Sequence, residues 1–383
     1  MNLFSLDGAQ AKLMVDLSAL KANWRLLSER SAPAECGAVV KADAYGVGIE
    51  QAVPTLSRAG CRTFFVAHLS EGVRARKALR KANFAEPAIR IFLLHGLQPG
   101  AVIHPDCFGY RLGPVLGSRP EIDAWVSATT NDSDRPPCAI HVDTGMNRTG
   151  LEPGAIQDLP ADIAGRAGAV LLMSHFVSAE EPANPSNAAQ ITAFEEARRS
   201  VFHGLAASLA NSSGIFLHGR PHYDLTRPGY ALYGGNPCPG RPNPMQAVVA
   251  LQAAILQTRM IGPGETVGYN GRWVASRPTR LATIGIGYAD GIPRGADTLG
   301  SGRGPQAAIG GLCCPLVGRI SMDLSVIDVT DVPPDVATPG SPVELLGPRI
   351  GVDDFARACG TIGYEILTGL GRRYSRIYLD TVG

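Results

Sequence analysis

Lys41 ends an apolar run in the stretch "VVKADAYGVG", residues 39–48, and two glycines follow it within seven positions. Burying an ammonium there is costly unless the group is paired or chemically consumed. Condensation with a carbonyl consumes it, and pyridoxal 5'-phosphate (PLP) is the commonest carbonyl cofactor that a lysine holds in this way. On this reading Lys41 supplies the amine, Tyr45 lies one turn beyond it, and the glycines permit close backbone approach. The spacing equally admits a surface lysine ahead of a glycine loop. His68, His95, Asp143, His175, Asn211 and Arg227 also fall at or near the ends of apolar runs. A lone strand-end histidine is usually a hydrogen-bonded rim residue, but with Lys41 these make seven polar residues for one rim.

The elements that would build such a rim can be read from the chain. "GAVVKA", "TFFVAH", "IRIFLLHG", "YRLGPVLG", "CAIHVDTG", "VLLMSHF", "LANSS" and "YDLTRPGYALYG" are eight candidate strands. Helix-like segments such as "SEGVRARKALRK" and "NAAQITAFEEARRSVFHGLA" separate several of them. Continuous apolar strands between helices indicate a parallel sheet covered on both faces, and eight such units predict an α/β fold, a (β/α)8 barrel. In that architecture the C-terminal strand ends carry the active site. The Pro/Gly-rich stretch "NPCPGRPNPMQ" reads as a linker. Beyond it, "AVVALQAAILQTRMI", "TRLATIGIGYADG", "AAIGGLCCPLVGRISMDLSVIDV" and "PVELLG" predict a mostly antiparallel β domain. The expected division is residues 12–238 for the barrel and 239–383 for the β domain. An early strand near residues 13–16 is expected to pair with the β domain, and Ser18 to cap the helix after it.

Composition narrows the class. The chain has 383 residues, 45% of them hydrophobic, and a formal net charge of +1. This suits a two-domain globular protein and gives no basic excess for nucleic acid or an anionic membrane. No apolar run approaches the roughly 20 residues of a membrane span. "MNLFSLDGAQ" lacks the basic-then-apolar order of a signal peptide. The eight cysteines are scattered, without CxxC pairs or zinc spacing, so buried small hydrophobes in a reducing cytoplasm are expected, with no metal.

"AVVKADAYGVG" resembles the PLP-lysine motif of alanine racemases, and further motifs of that family follow in order. They are "HVDTGMNRTG", "MSHF", "ANSSG", "RPGYALYGGNP", "GYNGRW", "IGYADGIPR", "VGRISMD" and "GTIGYE", spread over nearly the whole chain. The resemblance implies a PLP barrel followed by a β domain. It also implies a homodimer in which each active site is completed by the partner's β domain. Lys41 would hold PLP and act as the base on one face of the substrate Cα, with Tyr269 of the partner subunit as the base on the other. Racemisation needs this pair, since one group removes the proton and another returns it to the opposite face. A free tyrosine titrates near 10, so neighbouring groups must assist Tyr269, and His175 would hold that network. Arg227 would face the pyridine nitrogen, which a permanently protonated guanidinium can only donate to. Tyr45, Asn211, Ser212, Gly229, Tyr230 and Tyr364 would bind the cofactor. Arg148 and the backbone of Met322 would bind the substrate carboxylate.

The sequence departs from the family pattern at His141, where many members carry a carbamylated lysine whose anion orients the arginine equivalent to Arg148. Histidine supplies no fixed negative charge, so the orientation of Arg148 is open to a water, an anion or His141 itself. Tyr230 also replaces a smaller aliphatic residue. Competing expectations are a racemase for serine or lysine and a PLP-binding protein without turnover. The latter resembles the barrel alone, whereas the long β domain carries Tyr269.

Overall fold

The computed structural model describes residues 10–85, 88–98, 103–130, 132–296 and 304–380. Residues 1–9, read above for a leader, lie outside them. The described chain falls into two compact units, residues 20–232 with 236–245 and, separately, residues up to 19 with 233–235 and 246 onward.

The first unit is built on a seven-stranded parallel sheet running in chain order from Ala38–Val39 to Ala206–Ser208. Strands such as Thr63–Val66 and Leu112–Leu116 are buried at every position, as a sheet covered on both faces requires. Glu35–Cys36 extends the first strand and pairs in parallel with Leu225–Thr226, the eighth. Asp224 and Arg227 in turn donate backbone N–H groups to the carbonyls of Ala207 and Ala210, at 3.0 and 2.9 Å. Seven of the eight sequence runs hold barrel strands, whereas "LANSS" is the loop that follows the strand Ala206–Ser208; the eight strands close into the expected barrel. Trp125, Phe194 and Phe202 fill the space between sheet and helices, and burying each such ring contributes on the order of 2–3 kcal/mol.

Helix starts follow local chemistry. Ser118 Oγ accepts from the Glu121 N–H and Asn184 Oδ1 from the Ser186 N–H, each ahead of a proline in the first turn. The helix beginning at Leu17 is capped by Asp16, not by Ser18: Asp16 Oδ1 accepts the N–H groups of Ser18 and Ala19 at 2.8 and 2.9 Å. The strand thus ends on the residue that starts the helix. The helix Pro185–Arg199 is shorter than its pattern suggested, because "VFHGLA" passes through Gly204 at φ 88° into the next strand.

The second unit is organised by the 13-residue strand Val249–Ile261. It pairs antiparallel with Ala11–Asp16, Thr279–Ile284 and Pro342–Leu346. Ala11–Asp16 lies between this strand and Ser375–Leu379, with which it forms the one parallel ladder of this sheet among the described residues.

Candidate active site

The barrel strands stop just short of the chemically useful residues. Val39, Val66, Leu93, His141 and Met173 end five strands, and Lys41, His68, His95, Asp143 and His175 each follow two positions later. An offset of two keeps the strand's facing, which places these residues on a common rim.

Lys41 opens an unusual turn. Ala42, Asp43, Ala44 and Tyr45 have φ between 52° and 55°, one turn of left-handed helix made without glycine. Each such residue costs about 1–2 kcal/mol, and strain of this kind persists only where the surroundings hold it. Within the turn, the Ala44 N–H donates to the Val40 carbonyl and the Gly46 N–H to the Ala42 carbonyl, both at 2.9 Å. Burial, then the Arg148 charge, push the Lys41 ammonium below its usual pKa. That favours a neutral, nucleophilic amine.

The Tyr45 ring packs on Gly229, where an added Cβ would collide with the phenol oxygen. Ser212 Oγ accepts the N–H groups of Gly229 and Ala231 at 3.0 and 3.2 Å. A hydroxyl and converging backbone donors beside a phenol make a phosphate cradle. Asn211 acts locally, its Oδ1 accepting the Gly214 N–H at 2.8 Å. Tyr230 is buried.

Arg227 is 4% exposed, and its guanidinium donates to Ser208 Oγ and to the Ser174 carbonyl. Burial lowers it to about 9, so it stays protonated at neutral pH. His175 is driven down to about 3 by burial and then by Arg227, Arg148, Lys41 and His141. His141 falls to about 4 by burial, Arg227 and Arg148, with Asp143 opposing. Both imidazoles are therefore neutral at physiological pH, and these five residues form one electrostatically coupled cluster.

Asp143 organises the loop that carries Arg148. Its Oδ1 accepts the N–H groups of Gly145, Met146 and Asn147 at 2.8–3.2 Å. His141 Nδ1 lies 3.4 Å from Thr149 Oγ1 across the same loop. Sequence reading missed Ser174 and Ser208, which hold Arg227, and also Gln190. Gln190 is buried and donates to the His175 carbonyl at 2.8 Å and to Thr144 Oγ1 at 3.1 Å, while accepting the Val177 N–H at 2.9 Å. "MSHF" held a signal for Ser174 beside His175, but Gln190 sits in an ordinary helical pattern.

The second unit presents its predicted residues outward: Tyr269 is 62% exposed, Met322 53% and Tyr364 41%. Tyr269 follows Gly268 at φ 76°, where a Cβ would lie 3.0 Å from the Arg319 nitrogen, so "GYNGRW" and "VGRISMD" pack backbone to backbone. The Met322 carbonyl accepts the Ala289 N–H at 2.9 Å. Arg373 bridges Asp290 and Asp323 at 3.3 and 2.8 Å, beside Met322.

All eight cysteines are unpaired, five of them buried, although Cys313 is exposed. Among the described residues no His/Cys/Asp/Glu group could hold a metal, and no helix is long and apolar enough to cross a membrane.

The sequence profile of the alanine racemase N-terminal domain matches residues 15–237, and that of the C-terminal domain matches 248–378. The chain is 52% identical over 371 residues to an alanine racemase of Methylobacterium nodulans, covering 97% of this chain and 96% of that one. It is 44% identical over 380 residues to one from Rhizobium meliloti, covering 97% of each. The crystal structure of alanine racemase from Bartonella henselae with covalently bound pyridoxal phosphate superposes with a TM-score of 0.88. The two are 39% identical, and the match covers 97% of this chain and 100% of that one. The residues here fit such a group: an amine of lowered pKa, a buried guanidinium, and a hydroxyl-and-amide cradle under Tyr45.

Proposed function

From the premise that this chain belongs to the alanine racemase family, we propose that Lys41 and a partner copy's Tyr269 are the two bases of its reaction. It is a PLP-dependent isomerase that interconverts L- and D-alanine. PLP, when bound, draws electron density from the substrate Cα–H bond. The chain's own residues supply proton transfer, orientation and charge.

The observation that carries the assignment is the placement of Lys41. It opens the left-handed turn, its amine is depressed by burial and Arg148, and it acts on His175 together with Arg227. An amine whose pKa is lowered gives up its own proton more readily and can take the Cα proton from one face and return it. Tyr269 serves the opposite face. Its 62% exposure in the single chain supports a role toward a second copy and hence a homodimer with shared sites. Arg227 would donate toward the ring nitrogen of the bound cofactor, and it does not release its proton near neutrality. Tyr45, Ser212 and the Gly229 and Tyr230 backbone would hold the phosphate, and Tyr364 is proposed to add to them. Arg148 and the Met322 backbone hold the substrate carboxylate. His141 is neutral in the field of Arg227 and Arg148, so it supplies no fixed anion to orient Arg148. The unpaired cysteines support a reducing, cytoplasmic setting.

Chiral chromatography tests the reading. The protein with added PLP is incubated separately with L-alanine, L-serine and L-lysine. Conversion of alanine alone toward equal D and L forms is expected. Comparable conversion of serine or lysine would place the enzyme with broad racemases, and no conversion would overturn the assignment.

A further inference from the structure

Glu71 lies in the first turn of the helix Leu69–Lys81, 8% exposed, and its carboxylate serves two places. Oε2 accepts the N–H groups of Ala67 and His68, at 2.9 and 3.2 Å, at the start of its own helix. Oε1 accepts the N–H of Asp43 at 3.3 Å, in the middle of the left-handed turn opened by Lys41. One turn further along the same helix, Arg74 Nη2 lies 2.6 Å from Asp43 Oδ1, which also accepts the Ile49 N–H at 3.1 Å. Arg74 is itself braced by Glu50, its Nε lying 2.7 Å from Oε1. Asp43 is thus gripped through its main chain by Glu71 and through its side chain by Arg74. The turn needs such a grip, because "ADAY" contains no glycine to relieve four consecutive positive φ values.

The described residues repeat the device at the loop that carries His95, a rim residue with no part assigned in the reaction. Glu121 accepts the Gly117 N–H at 3.0 Å and the Ser118 hydroxyl at 2.9 Å through Oε2. Its Oε1 accepts the Leu97 N–H at 3.0 Å, in the loop after the strand Arg90–Leu93. In both cases a glutamate at the start of one helix ties down the loop that follows an earlier strand. That second loop carries no residue assigned to the reaction, which makes Glu121 an internal control.

We propose that Glu71 is a positioning residue for Lys41: by joining the start of its helix to the Asp43 N–H, it locks the left-handed turn that aims the reacting amine. The proposal rests on Lys41 being the PLP-bearing lysine. Glu71→Gln keeps one oxygen for Ala67 and His68 but turns an amide NH2 toward the Asp43 N–H, which cuts the tether and spares the cap. Glu121→Gln makes the same change at Leu97.

The measurement is the rate at which the cofactor-free full chain captures added PLP at Lys41, fixed with borohydride and mapped by peptide mass spectrometry. Steady-state kcat and KM for alanine are measured beside it. Glu71→Gln should slow capture and lower kcat by roughly ten- to hundredfold, the scale of a misaimed reacting group. KM should change little, and Glu121→Gln should leave capture and kcat near wild type although both variants lose some melting temperature. Equal effects of the two variants, or none from either, overturn the proposal. A wild-type label on a different lysine overturns the reading of Lys41 and the proposal with it. Should Glu71→Gln not fold, amide hydrogen exchange on the wild type decides. The Asp43 amide should be protected like that of Ala67, and free exchange at Asp43 refutes the tether.

Discussion

The barrel rim and the motifs of the β domain are made in opposite ways. On the rim, Arg227 and Ser212 are buried and His175 is held neutral, so the polar groups are already out of water and tied to one another. In the β domain, Tyr269, Met322 and Tyr364 are all exposed; close glycine contacts stiffen the backbone at the first two, Arg373 braces Asp323 beside Met322, and Tyr364 lies in the helix Gly363–Thr368. One half of the chemistry is desolvated by its own fold. The other half is rigid but bare, as a surface awaiting a second copy would be. Burial sets pKa values and holds a cofactor, whereas stiff exposure suits docking.

The sharpest way to break this contrast is to damage each half separately. Lys41→Ala should reduce turnover by about 10⁴-fold or more, since it removes both the proposed attachment point and one proposed base. Tyr269→Phe should cost about 10²–10⁴-fold by removing the other base. Mixing the two inactive variants, with subunit exchange, should restore racemisation, because a mixed dimer holds one site with both lesions and one with neither. No restoration means that Tyr269 serves its own chain.

Ser208→Ala probes the buried half alone. It leaves part of a buried guanidinium unpartnered and should cost about 1–3 kcal/mol in urea unfolding, with weaker PLP binding. The same substitution scale at an exposed position such as Tyr364 should leave stability within about 0.5 kcal/mol.

The two neutral histidines of the rim predict acid lability. His175 and His141 sit at about 3 and about 4 in the fold, against roughly 6.5 for an unfolded histidine. Between those values the unfolded chain binds more protons. Their contribution is therefore complete above about pH 6.5 and is lost as the pH falls through 4 and then 3. Melting temperature should drop from pH 7 to pH 4, and His141→Asn should flatten that curve. The smallest effect expected is from His141→Lys, whose turnover should not depend on added bicarbonate. A large bicarbonate-dependent gain would show that a carbamate at this position can still orient Arg148.

Much of the barrel was legible because buried parallel strands write themselves as unbroken apolar runs, and the polar residue after each run stands out. Lys41 and Arg227 could be picked out on that ground. Tyr269 could not: an exposed tyrosine in "GYNGRW" has no local pattern that signals proton transfer, and only resemblance assigned it. Asp16 was passed over as a cap because it closes a strand, and Gln190 because a buried amide on a helix looks like any surface glutamine in sequence. The left-handed turn was illegible for a physical reason. Its residues, Ala42 to Tyr45, have no intrinsic preference for positive φ, and the clamp on them comes from Glu71 and Arg74, about 30 positions later.

The strand Ala11–Asp16 has a consequence for biosynthesis. It precedes the barrel in sequence, yet its two neighbours, residues 249–253 and 375–379, follow the barrel. The barrel residues between them can find their partners while translation proceeds, but this apolar strand must wait for residues 249–253 to cover one edge and for residues 375–379 to cover the other. An unpaired strand of that kind is a template for misassembly. A chain cut short of residue 375 would lack the strand that covers one of these edges, so residues 375–379 close a sheet that the earlier residues leave open.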